Sequence, residues 1–247
     1  MQQINNHIAK LLFYFISSIW LFSNSTLFSQ EIGSWNTLNI RYTIDEKLTL
    51  NGEGQIRSLN FYNTFHYFEY KTWVNYKFLP NVIVSLGIGN YQTFNENGNF
   101  RLPKNNNEIR IWPQLTLNQK LGALNIEQRY RVESRFTTNG YRNRFRYRFG
   151  VSYPFGSEKK GFKPYQISAS NELFFTNKEP YFERNRIQFA LGFKPTKSVQ
   201  IQLGYLHQFD YKINDETGRD FLLLGFYYEI FRNQTESNTL TPDLKDN

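Results

Sequence analysis

The chain contains no cysteine and one methionine in 247 residues, so neither a disulfide framework nor a thiolate metal centre is available to it. Alanine occurs only at Ala9, Ala123, Ala169 and Ala190. A helical bundle, which needs Ala and Leu at helical spacing, is therefore excluded. Apolar runs of about 20 residues, the length of a membrane-spanning helix, are missing, and the one shorter candidate lies at the extreme N-terminus. Disorder is excluded by 24 Phe, 17 Tyr and 4 Trp, which make the chain 18% aromatic. The mean hydropathy is nevertheless −0.59. A chain rich in aromatics yet hydrophilic on average is an all-β chain with two contrasting faces.

Met1 to Lys10 carries a positive end, Leu11 to Phe22 is apolar apart from Ser17 and Ser18, and Ser23 to Ser29 is small and polar. A charged segment, a short apolar segment and then small residues read as a secretory signal peptide, residues 1–29. A run of twelve residues is too short to anchor the chain across a bilayer. Cleavage would leave 218 residues with one Lys fewer, so the net charge of +8 becomes +7. Beyond it, no linker rich in Pro, Gly or Ser divides residues 30–231, which read as one domain followed by a polar tail over 232–247.

Eleven alternating segments follow: Gly33 to Ile44, Leu48 to Leu59, Phe65 to Phe78, Val82 to Phe94, Asn107 to Gln119, Leu124 to Phe136, Tyr141 to Phe155, Phe162 to Phe175, Tyr181 to Lys194, Ser198 to Tyr211 and Asp220 to Ile230. Each is long enough to cross a membrane as a tilted strand, for which about 9 to 11 residues suffice. In Leu124 to Phe136, Leu124, Ile126, Tyr130, Val132 and Phe136 share one face, whereas Asn125, Glu127, Arg129, Arg131, Glu133 and Arg135 share the other. Period two with this contrast places one face in an apolar medium and the other in a polar one. Trp35, Phe78, Tyr91, Trp112, Tyr153, Phe155, Phe193 and Phe209 fall near segment ends, as interfacial girdles do. Tight connections such as Asp45 to Lys47, Leu79 to Asn81, Lys120 to Ala123 and Pro195 to Lys197 alternate with mostly longer ones. The largest outer loop is expected at Asn95 to Asn106. Single-chain bacterial barrels have even strand numbers, so ten or twelve strands are both open and twelve is the expectation. Tyr227 to Phe231 has the form of an aromatic terminal strand.

Arg129, Arg131 and Arg135, then Arg142, Arg144, Arg146 and Arg148, keep to one face. A hairpin about residues 138 and 139 sets Glu133 opposite Arg144 and Arg135 opposite Arg142. One about residues 121 and 122 would set Glu133 against Arg110 and Arg135 against Glu108, and Glu172 would meet Arg184. Because like charges directly opposite destabilise a sheet, acids landing between arginines favour this arrangement. Those seven with Arg184 and Arg186 make nine arginines, which outnumber Glu108, Glu127, Glu133 and Glu172. The lumen is then either a structural ladder of ion pairs or a narrow anion-preferring pore for a small anionic solute.

A second cluster, Asn171, Glu183, Asn185 and His207, is expected on the outward face near the long-loop rim. Asn185 would sit opposite His207. It lacks a nucleophile, since Ser168 and Ser170 point inward and the outward Ser134 lies farther off, so no catalytic residue is assigned. Neither a metal site nor a cofactor is expected, because no Cys/His spacing, HExxH, GxSxG or glycine loop before a helix occurs. The basic pI of about 9.5 does not point to nucleic acid, since the Arg and aromatic alternation is that of a strand.

Several stretches resemble the outer-membrane barrels grouped as domain-of-unknown-function family 2490: Gly33 to Thr37, Glu127 to Phe136, Arg142 to Arg148, Asn171 to Phe175, Arg184 to Arg186 and Leu203 to Gln208. The resemblance covers nearly the whole mature chain. It implies an outer-membrane β-barrel and supplies no activity. The expectation is an antiparallel transmembrane β-barrel in the outer membrane of a Gram-negative bacterium, non-enzymatic, in contact with membrane lipid and lipopolysaccharide, its oligomeric state open. The alternatives are a lipid-modifying barrel enzyme using His207 and a soluble periplasmic ligand-binding barrel with its apolar face inward.

Overall fold

The computed structural model describes residues 32–158, 161–211 and 216–232; the expected signal segment and nearly all of the polar tail lie outside them. Eleven strands follow one another: β1 (Gly33–Thr43), β2 (Leu48–Asn60), β3 (Asn63–Leu79), β4 (Val82–Asn95), β5 (Arg101–Leu121), β6 (Leu124–Thr137), β7 (Gly140–Phe155), β8 (Tyr165–Thr176), β9 (Phe182–Phe193), β10 (Val199–Asp210) and β11 (Thr217–Phe231). Each pairs with its sequence neighbours, and β1 pairs with β11 to close a barrel. Closure leaves no unpaired strand edge.

The strand number corrects the expectation of twelve. An even count is required only if every pair is antiparallel, whereas here β1 and β11 run parallel, with Gly33 beside Phe221 and Thr43 beside Phe231. An odd barrel must contain one such pair, and it puts the start of β1 and the end of β11 at opposite rims, called here the N-terminal and C-terminal rims.

Connections do not sort by length either. Two-residue turns occur at both rims, at 61–62 and 138–139 on the N-terminal side and at 80–81 and 122–123 on the other. The nine-residue connection 156–164 is at the C-terminal rim. The expected large loop is mostly strand: Thr93 pairs with Asn106 and Asn95 with Arg101, leaving 96–100 as the link. Asn-rich sequence reads as loop, but here Phe65 stacks on Phe100 and Phe94 packs edge-on against it, while the Phe100 amide donates to the Phe65 carbonyl at 2.6 Å. Aromatic packing prolongs the hairpin against local propensity. At the opposite rim the amides of Lys47 and Leu48 donate to Asp45 Oδ1 at 2.7 and 2.8 Å, and these bonds hold its carboxyl below the usual carboxylate range.

Alternation sends polar residues inward and apolar residues outward on every strand. The outward set includes Leu38, Leu50, Val74, Leu86, Ile111, Val132, Phe145, Ile167, Phe189, Leu203 and Leu224, all exposed. Trp35, Tyr91 and Trp112, expected at an interfacial girdle, instead point into the lumen and are buried. Trp112 lies flat on Gly87, its cross-strand partner: a Cβ at Gly87 would stand 2.4 Å from the indole ring. That glycine is there to admit the ring. Outside, Phe155, Tyr165 and Phe193 stack in a row at the C-terminal rim with centroids 5.5 and 5.6 Å apart.

A candidate functional site inside the barrel

The lumen is built from inward positions of neighbouring strands, so its chemistry follows from register. Between β6 and β7 the expected pairing holds, with Glu133 opposite Arg144 and Arg135 opposite Arg142. Between β5 and β6 it does not: the turn centres on Gly122 and Ala123, one residue later than expected, with Gly122 at φ +59. Arg110 therefore faces Arg135 rather than Glu133. The acids then act along diagonals. Glu108 accepts from Arg110 Nε and Nη2, both at 2.9 Å, and from both Nε and Nη2 of Arg135.

Glu133 is the hub. Its side chain has no solvent exposure, and guanidinium nitrogens of Arg110, Arg131 and Arg144 lie 3.7 Å from its oxygens, with Arg146 at 2.6 Å. Glu172 links Arg129 at 2.5 Å with Arg146 at 2.8 Å. By register it stands opposite Arg148 on one side and Arg186 on the other, so the expected partner Arg184 is displaced by two residues and pairs with Asp210 instead. Glu127 pairs with Arg148.

Glu183 is the residue that most clearly departs from expectation. An outward position was expected from parity, but the β8–β9 register shifts beside it, with Phe175 opposite Phe182 after Phe174 opposite Arg184. A bulge of this kind re-aims a side chain. Glu183 consequently turns into the lumen and binds Arg144, with Arg135 Nη1 at 3.6 Å.

Sequence reasoning missed the other half of the lumen. Lys71 bridges Glu53 and Glu69 at 2.5 and 2.6 Å, and Arg57 binds Glu69 at 3.0 Å. Period two on β2 and β3 would have found them, since Glu53, Gln55 and Arg57 keep to the inward face. Aromatic rings were also missed as partners of the cations. The Arg57 guanidinium sits 4.0 Å from the Tyr67 ring and 3.4 Å from Trp35. Arg186 sits 4.8 Å from both Trp35 and Phe174, and Arg146 lies 4.6 Å from Phe174. Tyr67, Arg57, Trp35, Arg186, Phe174 and Arg146 thus alternate across the lumen, each cation–π contact contributing about 0.5 to 2 kcal/mol.

Trp35 also joins Leu206, Phe221 and Leu223 in a buried apolar cluster. Beside it Ser34 and Ser58 share a 2.5 Å hydrogen bond, and Glu96 of the β4–β5 link reaches Arg219 of β11 at 3.0 Å. The stack itself lines a cavity of about 400 Å³ among the charges, and a second of about 960 Å³ opens among C-terminal-rim residues including Arg41, Asn81, Lys120 and Lys197.

On the outer wall, His207 stands opposite Asp220 and Ile187, and Asn185 stands opposite Phe209 rather than His207. His207 Nδ1 is 2.7 Å from Asp220 Oδ1, to which Tyr205 Oη also donates at 2.5 Å. Asn171 Nδ2 donates to Asn185 Oδ1 at 3.0 Å. The outward cluster therefore gains Asp220 and Tyr205 and loses Glu183. Among the described residues, no group of three or more His, Asp or Glu is arranged to hold a metal ion.

A family model described as protein of unknown function (DUF2490) matches residues 32–219, well over half of the chain, and the chain belongs to that family. No curated protein matches it.

Proposed function

We propose that this member of the family is an integral outer-membrane β-barrel, exported by its N-terminal segment, whose lumen is a closed, ion-paired brace rather than an open pore. The observation that carries the reading is the outer wall. Large apolar side chains are exposed on all eleven strands, among them Leu86 at 63%, Phe189 at 55% and Leu203 at 55%, while the arginines and glutamates turn inward. A continuous apolar belt of this extent is foreign to a water-soluble monomer and is the wall that lipid requires. A soluble ligand-binding barrel would need these faces exchanged.

The closed lumen is supported by the alternating stack of rings and guanidiniums and by the apolar cluster that shares Trp35 with it. Reconstituted in a planar bilayer, the protein is expected to give no stable conductance steps. The double variant Arg144→Ala, Arg146→Ala is expected to melt at lower temperature without opening a channel, because it strips Glu133, Glu172 and Glu183 of partners. Sustained anion-selective steps from the wild type would replace the brace by a pore. The His207, Asp220 and Tyr205 group is read as an interfacial anchor, since no Ser or Thr accompanies it within hydrogen-bond reach among the described residues.

A further inference from the structure

We propose that the lumen holds a small oxyanion of the phosphate or carboxylate class at the junction of its two cavities, admitted from the C-terminal rim. The inference concerns the lumen alone and holds whatever medium surrounds the outer wall.

Charge supplies the first argument. Twelve Arg and Lys side chains line the inner cavity against five glutamates. Adding the three further carboxylates that pair with these cations, Glu127, Glu133 and Asp210, still leaves an excess of four positive charges. An excess of that size inside a narrow, low-dielectric barrel is unfavourable unless an anion joins it. Arg186 illustrates the shortfall: its Nε donates to Gln208 at 2.9 Å, and no carboxylate of a described residue comes within ion-pair distance.

Geometry locates the site. Arg129 and Arg148 face each other directly across β6 and β7, a like-charge pairing that a sheet disfavours. Each has one acid, Glu172 and Glu127 respectively, and each keeps a buried Nε with no partner. Both arginines line both cavities, as do Ser170, Gln188 and Gln202. An oxyanion placed there would lie against the two guanidiniums, relieve the facing charges and find neutral donors alongside. Arginine suits such an anion because its planar fork donates to two oxygens at once. The inner volume of about 400 Å³ falls in the range of small-molecule sites. Entry is from the C-terminal rim, where Arg41, Lys120, Lys194 and Lys197 collar the larger cavity and raise the local anion concentration.

The test uses the purified full chain in non-ionic detergent, titrated with sodium phosphate against sodium chloride at matched ionic strength, with melting temperature as the readout. A saturable, single-site rise is expected with phosphate and not with chloride. Arg129→Gln and Arg148→Gln are expected to weaken it at least tenfold, the loss of one charge-assisted donor. Their phosphate-free melting temperatures should fall less than that of the Arg144→Ala, Arg146→Ala variant, because each substitution also removes a like-charge contact and Glu172 keeps Arg146. Arg41→Gln, at the rim, should change the affinity less than threefold. If Arg129→Gln fails to fold, Arg148→Gln decides alone, its side chain being about a third exposed. An equal response to phosphate and chloride, no saturation, or unchanged affinity in the folded variants would overturn the site. A chain that binds phosphate yet washes off membranes would keep this site and remove the membrane reading.

Discussion

Glu133→Gln is expected to lower the unfolding free energy of the barrel by about 3 to 5 kcal/mol, the range for removing one partner from a buried ionic cluster. Glutamine keeps the shape and removes the charge, so the arginines at 110, 131, 144 and 146 lose their common counter-ion while remaining inside. Their mutual repulsion then acts in a lumen with little water to screen it. Glu127→Gln is the matched control: that carboxylate pairs with Arg148 alone and is 37% exposed, so its removal should cost no more than about 1 kcal/mol. Denaturant unfolding in detergent, followed by tryptophan fluorescence, compares the two. Similar small losses would mean that the arginines are stabilised by something other than Glu133.

Leu203→Arg is expected to destabilise the barrel in lipid by about 2 to 4 kcal/mol, the penalty for a cation at the bilayer midplane of a β-barrel. Leu203 sits near the middle of β10, between Leu191 of β9 and Leu224 of β11 in the same row. All three are exposed. Phe78→Arg, close to the C-terminal rim on β3, places the same charge at the interface, where the penalty falls to about 0 to 1 kcal/mol. In a water-soluble barrel both positions would be ordinary surface sites, with changes within about 0.5 kcal/mol. Unfolding in vesicles measures the difference, and its dependence on depth separates lipid from water around the outer wall.

The faces of the strands were legible in the sequence, and many of the cross-strand partners were not, for one physical reason. A strand shifted by two residues keeps every side chain on its own face. The turn placed at residues 121 and 122 instead of 122 and 123 therefore left Arg110, Glu133 and Arg135 correctly in the lumen but gave them the wrong neighbours. The same displacement separates Glu172 from Arg184 and Asn185 from His207. Bulges behave differently. Glu183 changed face because the ladder slips beside it, and alternation carries no mark of such a slip. Trp112 was legible and misread: it lies on the face of Glu108 and Arg110, but its place among strand-end aromatics suggested a girdle. Odd closure was hidden by a rule that presumes antiparallel pairing throughout, although the eleven segments were present. The ring and guanidinium stack joins residues on β3, β2, β1, β9, β8 and β7, and only closure of the barrel brings them together.

Fractionation of cells expressing the full chain tests the central claim most directly. The barrel is expected in the outer-membrane fraction, to remain there through an alkaline carbonate wash, and to leave only with detergent, migrating on gels at different apparent sizes before and after boiling. Recovery in the soluble periplasmic or cytoplasmic fraction without detergent would contradict the account, since an exposed belt running through Leu86, Phe189 and Leu203 would then have to face water.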